Sequence, residues 1–357
     1  MSPGKFEIQK RNKGFSKIHW EMLGATMVLL AIGFFSSLLF FDFQYPSLYA
    51  DRIFCTALGV AAMALACVFS FSIISESPKS ISSCIAAISI SALLISRPSS
   101  NFLVYLTLFY PLSLAALVFS EKGNGKAGIL KCCFVFAAMA ALAASAKASA
   151  FITFAVASSA LFGMSAWKDW FKKGRRHTFF MFLAASSCAS IAYAISIGNQ
   201  AWVKFKILLN PYIGVKRETS AFLANAGIFG RRFPDHWSLY AISSADLSLV
   251  YLIAFLGWSA FACIAVVFIF LLARGLFLSL KQKSCLELFV SFSILATLAA
   301  EAIGYTLYNF GFQLCTPVAF PLISRSKSGI IANLILIGIM MSSLSRPGYP
   351  NEHNYEL

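Results

Sequence analysis

Three ionisable residues stand within or at the edge of otherwise apolar stretches of this sequence: Lys147, Asp246 and Glu301. Charge inside a membrane-length apolar run is expensive, so such a residue is read first as functional. A carboxylate in a desolvated cavity can act as a general base, because burial raises its affinity for a proton. It can equally coordinate a divalent cation that carries a pyrophosphate. The plainer reading is a structural bridge between Lys147 and a carboxylate. Just before Asp246, residues 199–245 hold Lys204, Lys206, Lys216, Arg217, Arg231 and Arg232 against Glu218 and Asp235. Six cations beside a membrane attract phosphate strongly. The plainer reading here is a solvated loop touching lipid headgroups. Trp202, Trp237 and Tyr240 have the character of interfacial anchors.

The elements that must position these residues follow from composition. Of 357 residues 59% are hydrophobic and only 12% are charged, and Phe alone occurs 36 times. Mean hydropathy is +0.76. A soluble globule cannot hide so much apolar surface. Disorder and a coiled coil are excluded by the same numbers, and the apolar runs lack the alternation of a membrane β-barrel. An all-α polytopic membrane protein remains. The net charge of +15 would point to nucleic acid in a soluble chain. Here most Lys and Arg fall in short loops between apolar runs, where topology signals sit, so no nucleic-acid partner is expected. The nine Cys fall mostly inside apolar segments and form no CxxC pair, which argues against a disulfide framework or a metal knuckle. No cleavable signal peptide is expected, because the first apolar run is a full span.

Hydropathy predicts about ten spans: 21–41, 52–74, 81–96, 101–119, 129–146, 149–165, 178–198, 246–272, 287–308 and 328–345. The fifth and sixth read as a unit broken around 144–149. Residues 1–20 form a basic tail, 21–345 the transmembrane domain, and 346–357 a short polar tail. Lys5, Lys10, Arg11, Lys13 and Lys17 place the amino-terminal tail in the cytoplasm. Loops 75–80, 120–128, 166–177 and 273–286 then face the cytoplasm and carry most of the remaining loop cations, while 42–51 and 97–100 are poor in them. The carboxyl terminus is cytoplasmic too. The loop 199–245 faces outward despite its charge, since long loops translocate with little regard to it. Lys147, Asp246 and Glu301 all fall in the outer half of the membrane.

The second half of the chain resembles the SEDS family of peptidoglycan polymerases, of the rod-shape (RodA), division (FtsW) and sporulation types. Four stretches carry the likeness. Phe205-Lys-Ile-Leu-Leu-Asn-Pro211 is similar to the family's approach to its large outer loop. Ala226-Gly-Ile-Phe-Gly230 looks like its Gly-Gly-Leu-Phe-Gly tract. Asp246 precedes Leu256-Gly257 by the ten and eleven residues that separate the family's Asp from its Leu-Gly. Phe320-Pro-Leu-Ile-Ser324 resembles the Leu-Pro-Leu/Phe-Ile-Ser motif before the last span. Arg274-Gly275-Leu276 also fits the cytoplasmic end of the eighth span. The likeness covers residues 100–345. The departures are specific. Ser244 and Ala245 stand where the family has His-Thr, and Ala254 and Phe255 where it has two Glu. Arg325-Ser-Lys-Ser-Gly329 replaces Tyr-Gly-Gly-Ser-Ser. Lys147 falls in the stretch where the fifth span of the family carries an acid.

The resemblance implies a glycosyltransferase acting on lipid II at the outer face of the bacterial inner membrane, in cell shape, division or sporulation. The acceptor's GlcNAc 4-hydroxyl attacks the donor's MurNAc C1, and undecaprenyl pyrophosphate leaves. Asp246 is the implied catalytic base. Lys204, Lys206, Lys216, Arg217, Arg231, Arg232, Arg325 and Lys327 are candidates to hold the pyrophosphate. Lys147, Glu301 and Ser324 are candidate lining residues of the same cavity. A divalent cation is the cofactor to consider, and a class B penicillin-binding protein is the expected partner, alongside membrane lipid. The polyprenyl tails would lie against Phe-rich, lipid-facing grooves. Two other classes compete. An O-antigen polymerase or ligase would use Arg231, Arg232 and His236 on another undecaprenyl-linked glycan, against which the Asp246/Leu256-Gly257 spacing speaks. A non-enzymatic scaffold or a transporter is the third; a transporter would carry internal repeats, and none stands out.

Overall fold

A stretch of about 20 apolar residues in lipid can satisfy its own backbone only as a helix, and helices are what this chain builds. The computed structural model describes residues 19–40, 46–95, 101–171, 177–178, 180–188, 223–230, 247–312, 318–324 and 326–345. Helices α1 (Trp20–Phe40), α2 (Pro46–Glu76) and α3 (Pro78–Ile95) come first. Next, α4 (Asn101–Leu106) runs through a 3₁₀ turn, Thr107–Phe109, into α5 (Tyr110–Ser120). They are followed by α6 (Gly125–Ala146), α7 (Ala148–Trp167), α8 (Ser248–Leu256), α9 (Trp258–Leu280), α10 (Cys285–Asn309) and α11 (Lys327–Ser345). Residues 180–188 are also helical. Among the described residues, seven helical stretches are long and apolar enough to cross a membrane, and Trp20–Ser36 is a shorter apolar one.

These helices fall where hydropathy places spans, with two refinements; residues 189–198 of the expected seventh span lie outside the described residues. The expected eighth span, 246–272, is two helices: α8 is short, and the long apolar helix is α9, which runs on to Leu280. The expected break around 144–149 is one residue wide. Lys147 is extended (φ −164°, ψ 143°), and α6 and α7 on either side of it are each of membrane-spanning length.

Two ends of the bundle can be told apart by their contacts. At one end Gln282 Nε2 donates to the carbonyl of Leu344 (3.2 Å), and His19 Nε2 lies 3.4 Å from the same oxygen. There too Glu121 is buried, accepts from Asn124 Nδ2 (2.5 Å) and pairs with Lys131 (3.3 Å). Burial pushes its carboxyl up, but Asn124 and Lys131 outweigh that and hold it below the ordinary carboxylate value. The opposite end gathers the residues discussed below and is called the site end.

Close helix packing in a membrane depends on small residues. Along α2 and α11, a Cβ on Gly338 would stand 2.5 Å from the Met63 carbonyl, and one on Gly59 2.7 Å from Leu334. The centre of the bundle is aromatic. Phe136 stacks on Phe154 (5.2 Å between centroids), Phe162 on Phe182 (4.6 Å), and Tyr110 meets Phe154 edge-on. Sequence reasoning assigned the Phe residues to lipid-facing grooves. Phe136, Phe154, Phe171 and Phe289 are instead fully buried core, while Phe35, Phe54, Phe102, Phe134 and Phe270 are exposed on the outside of the bundle.

Candidate functional site at one end of the bundle

Gly257 separates α8 from α9 with φ 88° and ψ 174°, a conformation open in practice only to glycine. The segment 226–230 docks into this break. The amides of Trp258 and Ser259, which open α9 and have no partner within their own helix, donate to the carbonyls of Gly227 (3.2 Å) and Ile228 (3.1 Å). The approach is too close for a side chain on either strand of the contact. A Cβ on Gly257 would lie 2.2 Å from the Ile228 oxygen, and one on Gly230 (φ 82°) 2.0 Å from the Phe255 oxygen. Leu223 packs along α8 against Val250 and Ala254. Two stretches that read as separate motifs, Ala226–Gly230 and Leu256–Gly257, are thus one structural unit.

The start of α8 is held from α10. Leu247, at its N-cap position, makes no side-chain cap. Tyr305 and Asn309 supply it instead. The Tyr305 hydroxyl accepts from the Ser248 amide (3.2 Å) and shares a 2.5 Å hydrogen bond with Ser248 Oγ. Asn309 Oδ1 accepts from the Val250 amide (3.1 Å), while its Nδ2 donates to the Tyr305 carbonyl (2.9 Å). The Tyr305 ring in turn meets Phe320 edge-on at 5.7 Å, and Phe320 also touches Phe268 of α9.

Phe320 opens the segment Phe320–Ser324, which a buried cation pins. Arg52, near the start of α2 and 7% exposed, donates to the backbone carbonyls of Gly33 (2.9 Å), Ser324 (3.3 Å) and Ile323 (3.4 Å). Gly33 admits the segment: a Cβ there would stand 2.7 Å from the Leu322 oxygen. Beyond it, Lys327 pairs with Asp51, and Tyr105 hydrogen-bonds Ser326. A planar fork can serve divergent carbonyls where an ammonium cannot. Arg52→Lys is therefore expected to lower stability by about 1–3 kcal/mol, read as a fall in the melting temperature of the purified protein. An unchanged melting temperature would mean the segment holds itself.

The candidate residues divide as follows. Ser324 is buried and belongs to the pinned segment. Lys147 is half-buried at the α6–α7 link. Lys327 was assigned to the pyrophosphate, but in the structure it is engaged with Asp51. Glu301 was assigned to a cavity open to the outside. The structure places it 2% exposed in the packed interior instead. Asn333 of α11 faces the Glu301 carboxyl, and neither side chain makes a hydrogen bond of ordinary geometry among the described residues. Asp246 and the cations Lys204, Lys206, Lys216, Arg217, Arg231, Arg232 and Arg325 lie outside the described residues. So do Phe205–Pro211 and His236. Among the described residues no three His, Cys, Asp or Glu side chains converge as a metal site. Sequence reasoning missed Arg52, Tyr305 and Asn309. The signal for the last two was available: Glu301, Tyr305 and Asn309 recur every four residues, marking a polar stripe down one face of α10.

The site end thus defines a class: a polytopic helical membrane protein with a broken helix pair, α8–α9, clamped between a glycine-rich loop and a pinned Pro-Leu-Ile-Ser segment. No protein-family model matches this sequence, and no curated protein does. Solved structures do match. One is reported under the description "Structural coordination of polymerization and crosslinking by a peptidoglycan synthase complex". It is 14% identical with a TM-score of 0.71, and the match covers 92% of this chain and 98% of the other. The rod-shape-determining protein RodA of Thermus thermophilus is 12% identical with a TM-score of 0.64, covering 92% and 97%. A singly substituted form of that RodA is 13% identical with a TM-score of 0.65, covering 92% and 98%. This chain has the fold of RodA, the fold that the SEDS resemblance implies.

Proposed function

We propose that this chain is a divergent SEDS-type glycosyltransferase that polymerises lipid II at the outer face of the bacterial cytoplasmic membrane, with both termini in the cytoplasm. One observation carries the reading. Three stretches that resemble the family's motifs, separated by up to about a hundred residues, are joined at one end of a RodA-like bundle. Ala226–Gly230 docks on Leu256–Gly257, α8 between them is held by Tyr305, and Tyr305 packs on Phe320 of Phe320–Ser324.

In this reading Asp246, two residues before the clamped Ser248, takes the proton from the acceptor's GlcNAc 4-hydroxyl as it attacks the donor's MurNAc C1. The bond from C1 to the pyrophosphate oxygen breaks, and undecaprenyl pyrophosphate leaves. Stabilising the charge that develops on it is the larger share of such catalysis. Lys204, Lys206, Lys216, Arg217, Arg231, Arg232 and Arg325 carry that task, with Lys147 bordering the same end. A divalent cation would serve the pyrophosphate in the same way. The role is in cell shape, division or sporulation. The partner is a class B penicillin-binding protein, a choice supported by the likeness to a chain of a peptidoglycan synthase complex.

The test is strand formation from purified lipid II by the reconstituted wild-type protein with its transpeptidase, with and without added magnesium. Glycan strands are the expected product. A folded protein that makes none in the partner's presence would overturn the reading.

A further inference from the structure

We propose that Glu301 and Asn333 form a neutral acid–amide pair in the membrane interior: Glu301 carries a proton there, and the two side chains exchange two hydrogen bonds that join α10 to α11. The inference stands whatever reaction the protein catalyses.

The two residues meet at one depth. α10 ends at the site end with Asn309, and α11 begins there with Lys327. At a helical rise of about 1.5 Å per residue, Glu301 and Asn333 both lie roughly 9–12 Å below that end. The two helices pack along each other, and Asn333 faces the Glu301 carboxyl. Both side chains are sealed from solvent, Glu301 at 2% exposure and Asn333 at 0%. The pair sits one turn below Tyr305, which touches Phe320 ahead of α11. It therefore fastens the two helices that flank the Arg52-pinned segment.

Hydrogen-bonding capacity decides the state of the acid. Four buried atoms need partners: both carboxyl oxygens of Glu301, and the nitrogen and oxygen of the Asn333 amide. An ionised Glu301 is an acceptor only. The Asn333 amide could then serve one carboxyl oxygen through an N–H. The Asn333 oxygen and the other carboxyl oxygen would remain, two acceptors with no donor between them. A full charge would also be buried without a cation, since no ion pair among the described residues includes Glu301. Each of these is costly inside a membrane.

One proton removes every one of them. A protonated carboxyl holds a donor and an acceptor side by side, as a primary amide does. The carboxyl O–H donates to Asn333 Oδ1, and Asn333 Nδ2 donates to the second carboxyl oxygen. Each of the four atoms then has a partner. The last torsion of each side chain is broad, so the planar groups can align without moving either helix. Such side chains hydrogen-bond across membrane helices. The neighbours one turn away do not compete. Thr297 Oγ1 donates to the Ser293 carbonyl, and the Tyr305 hydroxyl is bonded to Ser248. A sodium ion in the same place would serve the oxygens and strand the Asn333 nitrogen.

The experiment uses the full-length protein in lipid nanodiscs at neutral pH. It compares wild type, Glu301→Gln, Glu301→Leu, Asn333→Leu and the double variant Glu301→Leu/Asn333→Leu. The first measurement is the infrared difference spectrum between wild type and Glu301→Gln. The expected result is a protonated-carboxyl C=O band that the Gln variant lacks and that moves to higher frequency in Asn333→Leu. Absence of the band would overturn the proton, and a band that ignores Asn333→Leu would overturn the pairing. The second is the melting temperature. Glutamine keeps a donor and an acceptor for Asn333, so Glu301→Gln is expected to melt within about 2 °C of wild type. Either Leu single variant strands a buried partner and should melt about 2–6 °C lower. The double variant strands neither and should recover most of that loss. Single variants that melt with wild type, or a Gln variant that falls as far as the Leu one, would sink the pair. The third exchanges sodium chloride for choline chloride at equal ionic strength, with no change expected. Melting raised by sodium in wild type and not in Glu301→Gln would replace the proton with a bound cation. Should a Leu variant fail to fold, the infrared and sodium comparisons of wild type with Glu301→Gln still decide.

Discussion

Gly257→Ala is expected to abolish the properly folded protein. Alanine at φ 88° and ψ 174° occupies a region that costs about 1–3 kcal/mol. Its methyl would also lie 2.2 Å from the Ile228 oxygen and 2.3 Å from the Gly230 nitrogen, both backbone atoms that cannot rotate away. The loop 226–230 must therefore lift. It then loses the hydrogen bonds from Trp258 and Ser259, worth about 1 kcal/mol each. The sum, about 3–5 kcal/mol before the clash is counted, reaches the lower edge of an ordinary domain's whole stability of about 5–15 kcal/mol. Gly230→Ala meets the Phe255 carbonyl at 2.0 Å and should behave alike. Gly304→Ala and Gly163→Ala are the controls, because nothing lies within 4 Å of a Cβ at either helical position. The measurement is the yield of monodisperse protein in detergent and its melting temperature. A Gly257→Ala protein that melts with wild type, within a degree or two, would dissolve the unit formed by the two motifs.

The same glycine marks the limit of what the sequence discloses. Spans were legible because hydropathy averages over many residues, and the lipid leaves helix as the only backbone solution. The break at Gly257 was not, since Leu256-Gly257-Trp258 continues an apolar run and glycine is common in membrane helices. Depth along a helix could be read, but not the face. Glu301 was read as an acid within the ninth span lining an outward-open cavity; nothing in one sequence says that its face meets α11 near Asn333, where it is buried. Arg52 sits at a helix entrance, where a basic residue is ordinarily a topology signal. Its real partners are carbonyls of residues near 33 and 323, a pairing that only the fold can bring about. Lys327 was counted among loop cations for the same reason, and Asp51, its partner, lies 276 positions away in sequence.

What the structure removes from the list of acids sharpens the list that remains. Asp51 is committed to Lys327, and Glu301 is closed off from solvent. Glu301 is not disposed to meet a lipid-linked sugar arriving from outside, while Asp51 stays half-exposed in its pair with Lys327. Asp42, Glu218, Asp235 and Asp246, in the stretches read as outward-facing, lie outside the described residues, and among them Asp246 alone stands at the motif spacing from Leu256-Gly257. Its nearest described neighbours in sequence, Leu247 and Ser248, begin the clamped helix.

Asp246→Ala and Asp246→Asn are therefore expected to lower the rate of lipid II polymerisation by about 10²–10⁴-fold, the contribution of one positioned base. KM should change little, since the carboxylate acts on a proton in flight and not on the bound substrate. The asparagine variant is the sharper of the two. It keeps the shape and the acceptor oxygen and loses only the ability to take the proton. If the role of Asp246 were to cap α8, Asn would serve nearly as well as Asp, and only Ala would be impaired. Equal loss in both variants, with folded protein at wild-type levels, identifies the proton as the lost element. Strand formation by Asp246→Asn at the wild-type rate would remove Asp246 from the chemistry, and Asp235 would be the next carboxylate to replace.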